Sequence, residues 1–233
     1  MKIAISQPTF LPWAGYIGLI DHVDKFVFLD NVQFEKRSWH QRNNIKVNNK
    51  KYLITIPVYS KKKRYQKIND TIINYDSKFI EKHIKTISQS YSKSRYFNLY
   101  SKKIFETFTK KSQNLAQLNI DLIKLFCEIL DIDTEFKFSS DLKIEKKKES
   151  LILEICKEFQ CSNYISTLGA KEYLKNLSKF EKNNINVNFF EFENKKYKQI
   201  GLKFIDKLSI LDVIFNLGKD SIYYIRENFK ILK

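Results

Sequence analysis

All three prolines (Pro8, Pro12, Pro57) and both tryptophans (Trp13, Trp39) fall within the first 57 residues of a 233-residue chain. Two of the five glycines and two of the three histidines fall there as well. The rest is Lys-rich, with long helical patterns and almost no breakers. Irregular backbone set among rigid elements is where sites tend to be built. The first quarter of the chain is therefore where chemistry is expected.

The opening MKIAIS (1–6) alternates as a short strand. In QPTFLPW (7–13) the residue before each proline is pushed to extended geometry, so the stretch is a loop. Residues 14–23 read as a helix and 25–29 as a second strand ending at Asp30, and 52–58 read as a third strand. Strand, loop, helix, strand opens an α/β unit. The expected fold is α/β: this unit belongs to a central, mostly parallel sheet, and the middle and C-terminal parts are largely helical. Helical spacing recurs at 77–91, 96–111 and 115–130, the last through Leu115, Leu118, Leu122, Leu125, Phe126 and Ile129. Further on, 136–138, 163–166 and 187–192 read as strands, and 149–159, 169–174, 209–217 and 221–229 as helices. No repeat or linker interrupts the pattern, so one domain is expected over 1–233, with a helical subregion at about 77–130.

At 43% hydrophobic and 15% aromatic residues the chain can fill a core, which excludes intrinsic disorder. No apolar run approaches the ~20 residues of a membrane-spanning helix. The N-terminus lacks the apolar core of a signal peptide, so a cytoplasmic location is expected. Cys127, Cys156 and Cys161 form no CxxC pair and suggest neither a disulfide framework nor a zinc site. The formal charge is +16, but 37 of the 42 basic residues are Lys and five are Arg. Readers of base edges and phosphates lean on Arg. Most of this charge therefore reads as solvated background. An anionic partner, such as a nucleotide, sugar phosphate, RNA or membrane surface, is the lesser reading.

Two segments carry candidate chemistry. QPTFLPWAGY places Gln7, Trp13 and Tyr16 between the first strand and the first helix, where α/β sheets bind ligands. Gly15 there permits close backbone approach. An equal reading is a proline-stiffened turn that buries Phe10, Leu11 and Trp13. No GxGxxG or phosphate loop is present. In DNVQFEKRSWHQRNNIK, Asp30 lands at the same sheet edge as Gln7. Asn31, Gln33, Lys36, Trp39, His40, Arg42, Asn43 and Lys46 follow it, a dense set of amides, cations and a ring suited to sugar hydroxyls, phosphates or bases. Among the histidines, His22 reads as a surface residue, His40 as a site residue, and His83 as a helical residue that is structural or a base. No metal-ligand spacing and no GxSxG occur. Tyr197 and Gln199 follow the strand at 187–192. Ser209 reads as an N-cap, with Asp212 in the position of a capping-box acid.

The segments QPTFLPWAGYIGLI, VDKFVFLDNVQFEKRSWHQRNNIK, KHIKTISQSYSKSRYF, YKQ and LSILDVIFNLG, in this order, resemble the WbqC-like family over nearly the whole chain. Members usually carry Gln-Pro, an aromatic-Pro-Trp/Tyr-x-Gly-Tyr turn, Asp-Asp/Asn-Val-Gln-Phe, and Trp followed by Arg-Asn. Gln7, Pro8, Pro12, Trp13, Gly15, Tyr16, Asp30, Asn31, Val32, Gln33, Phe34, Trp39, Arg42 and Asn43 match that pattern. The chain departs from it at 164–170 (YISTLGA), where members more often have Gly or Pro, so no substrate role is carried to Ser166 or Thr167.

The resemblance implies a bacterial protein of O-antigen, lipopolysaccharide or other surface-glycan biosynthesis. The implied reaction is N-acylation, glycylation among the candidates, of a nucleotide-linked deoxyaminosugar. The acyl donor would be a thioester, an amino acid activated by ATP, or an aminoacyl-tRNA, and the tRNA would give the basic surface a purpose. N-acylation needs a base for the amine proton and donors for the developing oxyanion. His83 or His40 would be the base, and Asp30 would orient the amine. Gln7, Gln33 or Asn43 would supply donors, Lys36, Arg42 and Lys46 would hold a diphosphate, and Trp39 or Tyr16 would stack on a ring. Two other classes stay open. One is a nucleotidyltransferase or ligase, although Trp13 and Tyr16 stand where its paired histidines would be. The other is a non-catalytic RNA- or partner-binding module. Oligomerisation is compatible with all three.

Overall fold

The computed structural model describes residues 1–172, 174 and 176–232. Six strands form one sheet in the order β5-β2-β1-β6-β7-β8. They are β1 (Lys2–Ser6), β2 (Lys25–Phe28), β5 (Glu135–Phe138), β6 (Asn163–Thr167), β7 (Asn186–Phe192) and β8 (Phe229–Leu232). The first five are mutually parallel, and β8 closes the edge antiparallel to β7. The expected mixed α/β architecture with a mostly parallel sheet is what the chain adopts.

Alternation along the central strands sorts side chains onto two faces. Ile3, Ile5 and Val27 meet Leu151, Ile152 and Ile155 of α5 (Lys148–Glu158) and Phe180 of α6 (Ser178–Glu181). Ala4, Phe26 and Phe28 face the larger core. That core holds α1 (Ala14–Asp21), α4 (Leu115–Ile129), α7 (Ile210–Leu217) and α8 (Ser221–Asn228). Helix α1 is buried from Ala14 through Ile20, as an apolar sequence with no polar face requires. The helices α2 (Phe79–Tyr91) and α3 (Phe97–Thr109) are amphipathic and complete that layer. Among the described residues, no helix is long and apolar enough to cross a membrane.

Several boundaries differ from the sequence reading. The strand expected at 52–58 is β4 (Lys50–Thr55), and it lies outside the main sheet. It pairs antiparallel with β3 (Arg42–Val47), a strand hidden inside the expected polar loop. The connecting Asn48 and Asn49 both have positive φ, 48° and 58°. Asparagine tolerates such a two-residue hairpin turn. The helix expected at 221–229 stops at Asn228, and β8 follows. The helix expected at 169–174 is a 3-10 turn, Leu168–Glu172, and Tyr173 lies outside the described residues.

The chain builds outward from β1 to β2 and β5, then returns to place β6 on the other side of β1. This reversal makes a topological switch point at the carboxyl ends of β1 and β6, the usual ligand crevice of such sheets.

Candidate functional site

The turn after β1 is filled by the protein itself. Phe10 and Leu11 are fully buried. The Asn43 amide donates to Phe10 O (3.2 Å) and Leu11 O (2.7 Å), and Asn119 donates to Pro8 O (3.1 Å). Ile210 N–H donates to Pro12 O. Trp13 stacks on Phe190 and meets Phe192 edge-on. The atoms that approach Gly15 closely are those of the Trp13 ring, so its missing side chain serves packing. The Tyr16 hydroxyl is buried and donates to Gln7 O (3.0 Å).

Gln7 and Asp30 do sit at one sheet edge, since Leu29 N–H donates to Ser6 O. Their side chains are engaged separately. Asp30 Oδ1 accepts from Ser139 Oγ (3.1 Å) and Ser140 N (3.0 Å), and Oδ2 accepts from Ser140 Oγ (2.7 Å). Asn31 is fixed to the same turn, donating to Ser139 O. His40 Nδ1 accepts from Glu35 N–H (3.3 Å), which places the ring proton on Nε2, 2.8 Å from Gln7 Oε1. Both ring nitrogens are therefore committed, and burial drives the imidazole down to about 4. The unfolded ring binds a proton near pH 6.5 and the folded ring does not, so stability rises with pH between the two values. We expect His40 to contribute roughly 2–3 kcal/mol that is fully present above pH 6.5 and lost as pH falls toward 4. Chemical denaturation of wild type and His40→Gln across pH 4–8 checks this: the variant should lack that part of the slope.

The third histidine differs. His83 on α2 places Nε2 2.9 Å from Thr55 O, and among the described residues Nδ1 has no hydrogen-bond partner. Burial lowers its pKa, so the ring is neutral at pH 7. His22 is half-buried at the end of α1 and tilted over Phe229, at 5.0 Å between ring centroids. Trp39 is 55% exposed, and Gln33 and Lys36 are exposed beside it. Arg42 is half-buried at the start of β3.

The densest polar cluster joins residues from four places. Lys46 on β3 is only 3% exposed, and Asp212 on α7 is fully buried. Asp212 Oδ1 accepts from the Tyr197 hydroxyl (2.7 Å), and Oδ2 accepts from the Tyr91 hydroxyl (3.0 Å). Tyr91 in turn accepts from Lys46 N–H (2.9 Å). Lys46 Nζ donates to Gln199 Oε1 (3.1 Å) and Lys203 O (2.5 Å), and Gln199 Nε2 donates to the Tyr197 hydroxyl (3.1 Å). Burial raises the Asp212 pKa against the two phenol hydrogen bonds. It lowers the Lys46 pKa against the Asp212 charge and pushes both phenols well up. Groups perturbed in this way gather at functional sites. Sequence reasoning had Lys46, Tyr197 and Gln199, but took Asp212 for a helix-capping acid. Ser209 is the cap, as expected, with its Oγ accepting from Leu211 N–H (3.3 Å). The Asp212 carboxylate instead holds the phenols. Tyr91 and Ser94, which bear on this region, were not singled out in the sequence.

Beside this cluster opens a cleft of about 350 Å³, with Gln199, Ile200, Asn216 and Leu217 on one side and Lys93 to Tyr96 on the other. A mostly parallel sheet with a strand-order reversal, packed between helices, together with a buried acid–lysine–phenol cluster that lies off the sheet, defines an α/β protein with a pre-formed polar site. The sequence model of the WbqC-like protein family matches residues 7–224, and the chain belongs to that family. It is 31% identical over 227 residues to the uncharacterized protein Rv1507c of Mycobacterium tuberculosis, with 97% of each chain covered. No solved structure matches it.

Proposed function

We propose that this chain is an N-acyltransferase that transfers an acyl group, glycyl among the candidates, to the amine of a nucleotide-linked deoxyaminosugar in surface-glycan biosynthesis. Membership of the WbqC-like family supports this reading through the setting that the resemblance implies. The observation that carries the chemistry is His83. Of the three acid–base groups suggested by sequence, His40 and Asp30 are saturated with hydrogen bonds, whereas His83 keeps Nδ1 unengaged on a neutral ring. A neutral imidazole with one nitrogen anchored and the other open is the form a general base requires. The proton leaving the amine as the C–N bond forms passes to His83 Nδ1, and the acyl carrier departs with the electrons of its own bond.

Incubating the protein with nucleotide-linked aminosugars and with thioester, ATP-plus-amino-acid or aminoacyl-tRNA donors, and weighing the sugar, tests the reaction. A mass gain of one acyl group is expected. His83→Ala is expected to lower turnover by about 10²–10⁴-fold with the fold retained. Turnover equal to wild type in His83→Ala would remove His83 from the mechanism, and no mass gain with any donor would remove the acyl-transfer reading.

A further inference from the structure

We propose that the cleft beside the Lys46–Asp212 cluster is an anion site that holds the phosphate groups of a nucleotide or sugar-phosphate ligand. One wall is the turn between α2 and α3, which brings Lys93, Ser94 and Arg95 to the cleft mouth. Lys198 lines the same cleft. Among the described residues none of these three cations takes part in a salt bridge, although other surface lysines and an arginine do. The single acid on the lining is Asp220. Unpaired cations around one concavity raise the local anion concentration.

Two independent features point to a ligand rather than to solvated lysines. Ser94 is 8% exposed, and its buried Oγ has no hydrogen-bond partner. A buried hydroxyl without a partner is costly, and protein structures seldom leave one. Ser94 is among the residues that line this cleft. Helix α3 also begins here, thirteen residues long, with no side-chain cap and no acid in its first turn. Its N-terminal dipole favours negative charge at this point, although Phe97 N–H and Leu99 N–H already donate to Ser94 O and Tyr96 O. The Arg95 guanidinium lies 5.3 Å over the Tyr96 ring, which steadies it at the rim.

The volume falls within the ~300–1,000 Å³ range of small-molecule sites, large enough for a diphosphate and part of a nucleoside. Gln199 and Asn216 link the floor to Asp212: Gln199 donates to Tyr197, and Asn216 donates to Asp212 O (2.7 Å). Anion binding at the rim is thus connected to the buried cluster through two amides. Identifying the ligand as a nucleotide-linked sugar rests on the proposed acyl transfer; the phosphate chemistry does not.

Titration calorimetry of the full chain with inorganic phosphate, pyrophosphate and uridine diphosphate tests the site. Pyrophosphate and the nucleotide are expected to bind, with affinity falling as salt rises. Arg95→Ala with Lys198→Ala should weaken both by about tenfold or more, the scale of losing charge-assisted hydrogen bonds. Ser94→Ala, which changes no charge, should weaken them measurably, whereas Lys61→Ala with Lys62→Ala on a distant loop should not. Nucleotide binding tighter than pyrophosphate assigns a base contact, and equal binding assigns phosphate alone. Equal affinity in wild type, Ser94→Ala and the Arg95/Lys198 variant, or an equal loss in the Lys61/Lys62 variant, overturns the proposal. Binding with no acyl transfer defeats only the reaction, and acyl transfer unaffected by the Arg95/Lys198 variant defeats only the site.

Discussion

Asp212→Ala should destabilise the protein by about 3–5 kcal/mol, the cost of removing one partner from a buried charged network. The carboxylate is fully buried and accepts from two phenols, Tyr91 and Tyr197, and it is the acid whose charge opposes the lowering of the Lys46 pKa. Removing it takes the acceptor from both hydroxyl protons and leaves a buried ammonium without that opposing charge. In a domain of this size the loss corresponds to a fall in Tm on the order of 10 °C. Asp212→Asn keeps an acceptor but not the charge, and should lose about half as much. Urea unfolding followed by circular dichroism measures both. A cycle with Lys46→Met separates the pair: the double variant should be less destabilised than the sum of the singles. A loss below about 1 kcal/mol for Asp212→Ala would show that the cluster does not hold the fold.

Gly15→Ala is expected to be the most damaging conservative change in the first helix. A Cβ at this position would overlap the Trp13 ring, which is itself wedged against Phe190 and Phe192. The ring cannot move toward β7 without displacing those neighbours. Overpacking of this kind typically costs about 1–3 kcal/mol, and here the obstruction is a rigid indole. Only two tryptophans are present, so in a Trp39→Phe background the emission reports Trp13 alone. The expected result is a lower denaturation midpoint together with a red shift as the indole leaves its apolar setting. Unchanged emission and stability would show that the turn relaxes freely.

The parts of the fold visible in the sequence were those with clean periods. β1 and β2 are apolar and mostly buried, β7 buries Phe189, Phe190 and Phe192, and α2 through α4 repeat at helical spacing. The hairpin strand β3 was hidden because its inward residues include Asn43 and Lys46. Their burial has a specific reason: Asn43 satisfies the carbonyls of Phe10 and Leu11, and Lys46 satisfies Gln199 and Lys203. A pattern read for apolar alternation takes such a strand for a polar loop. β8 is four residues at the end of a helix, too short for a period to show. Asp212 was misread because a local explanation was sufficient, while its partner Tyr91 lies 121 positions away. Gln7 and Asp30 lie at one sheet edge, as the sequence suggests, yet their hydrogen bonds, like those of His40 in the loop beyond, turn inward to hold the loops.

The strand order also sets a timetable. β1 is made well before one of its two neighbours, β6, which begins at Asn163. Until roughly two-thirds of the chain has been made, β1 has only β2 to pair with, and its other edge stays unprotected. Contacts between such distant segments form slowly, and an open strand edge in a nascent chain invites pairing with other chains. Translation arrested before residue 163 should leave a species that aggregates, and synthesis through β6 and β7 covers the open edge of β1.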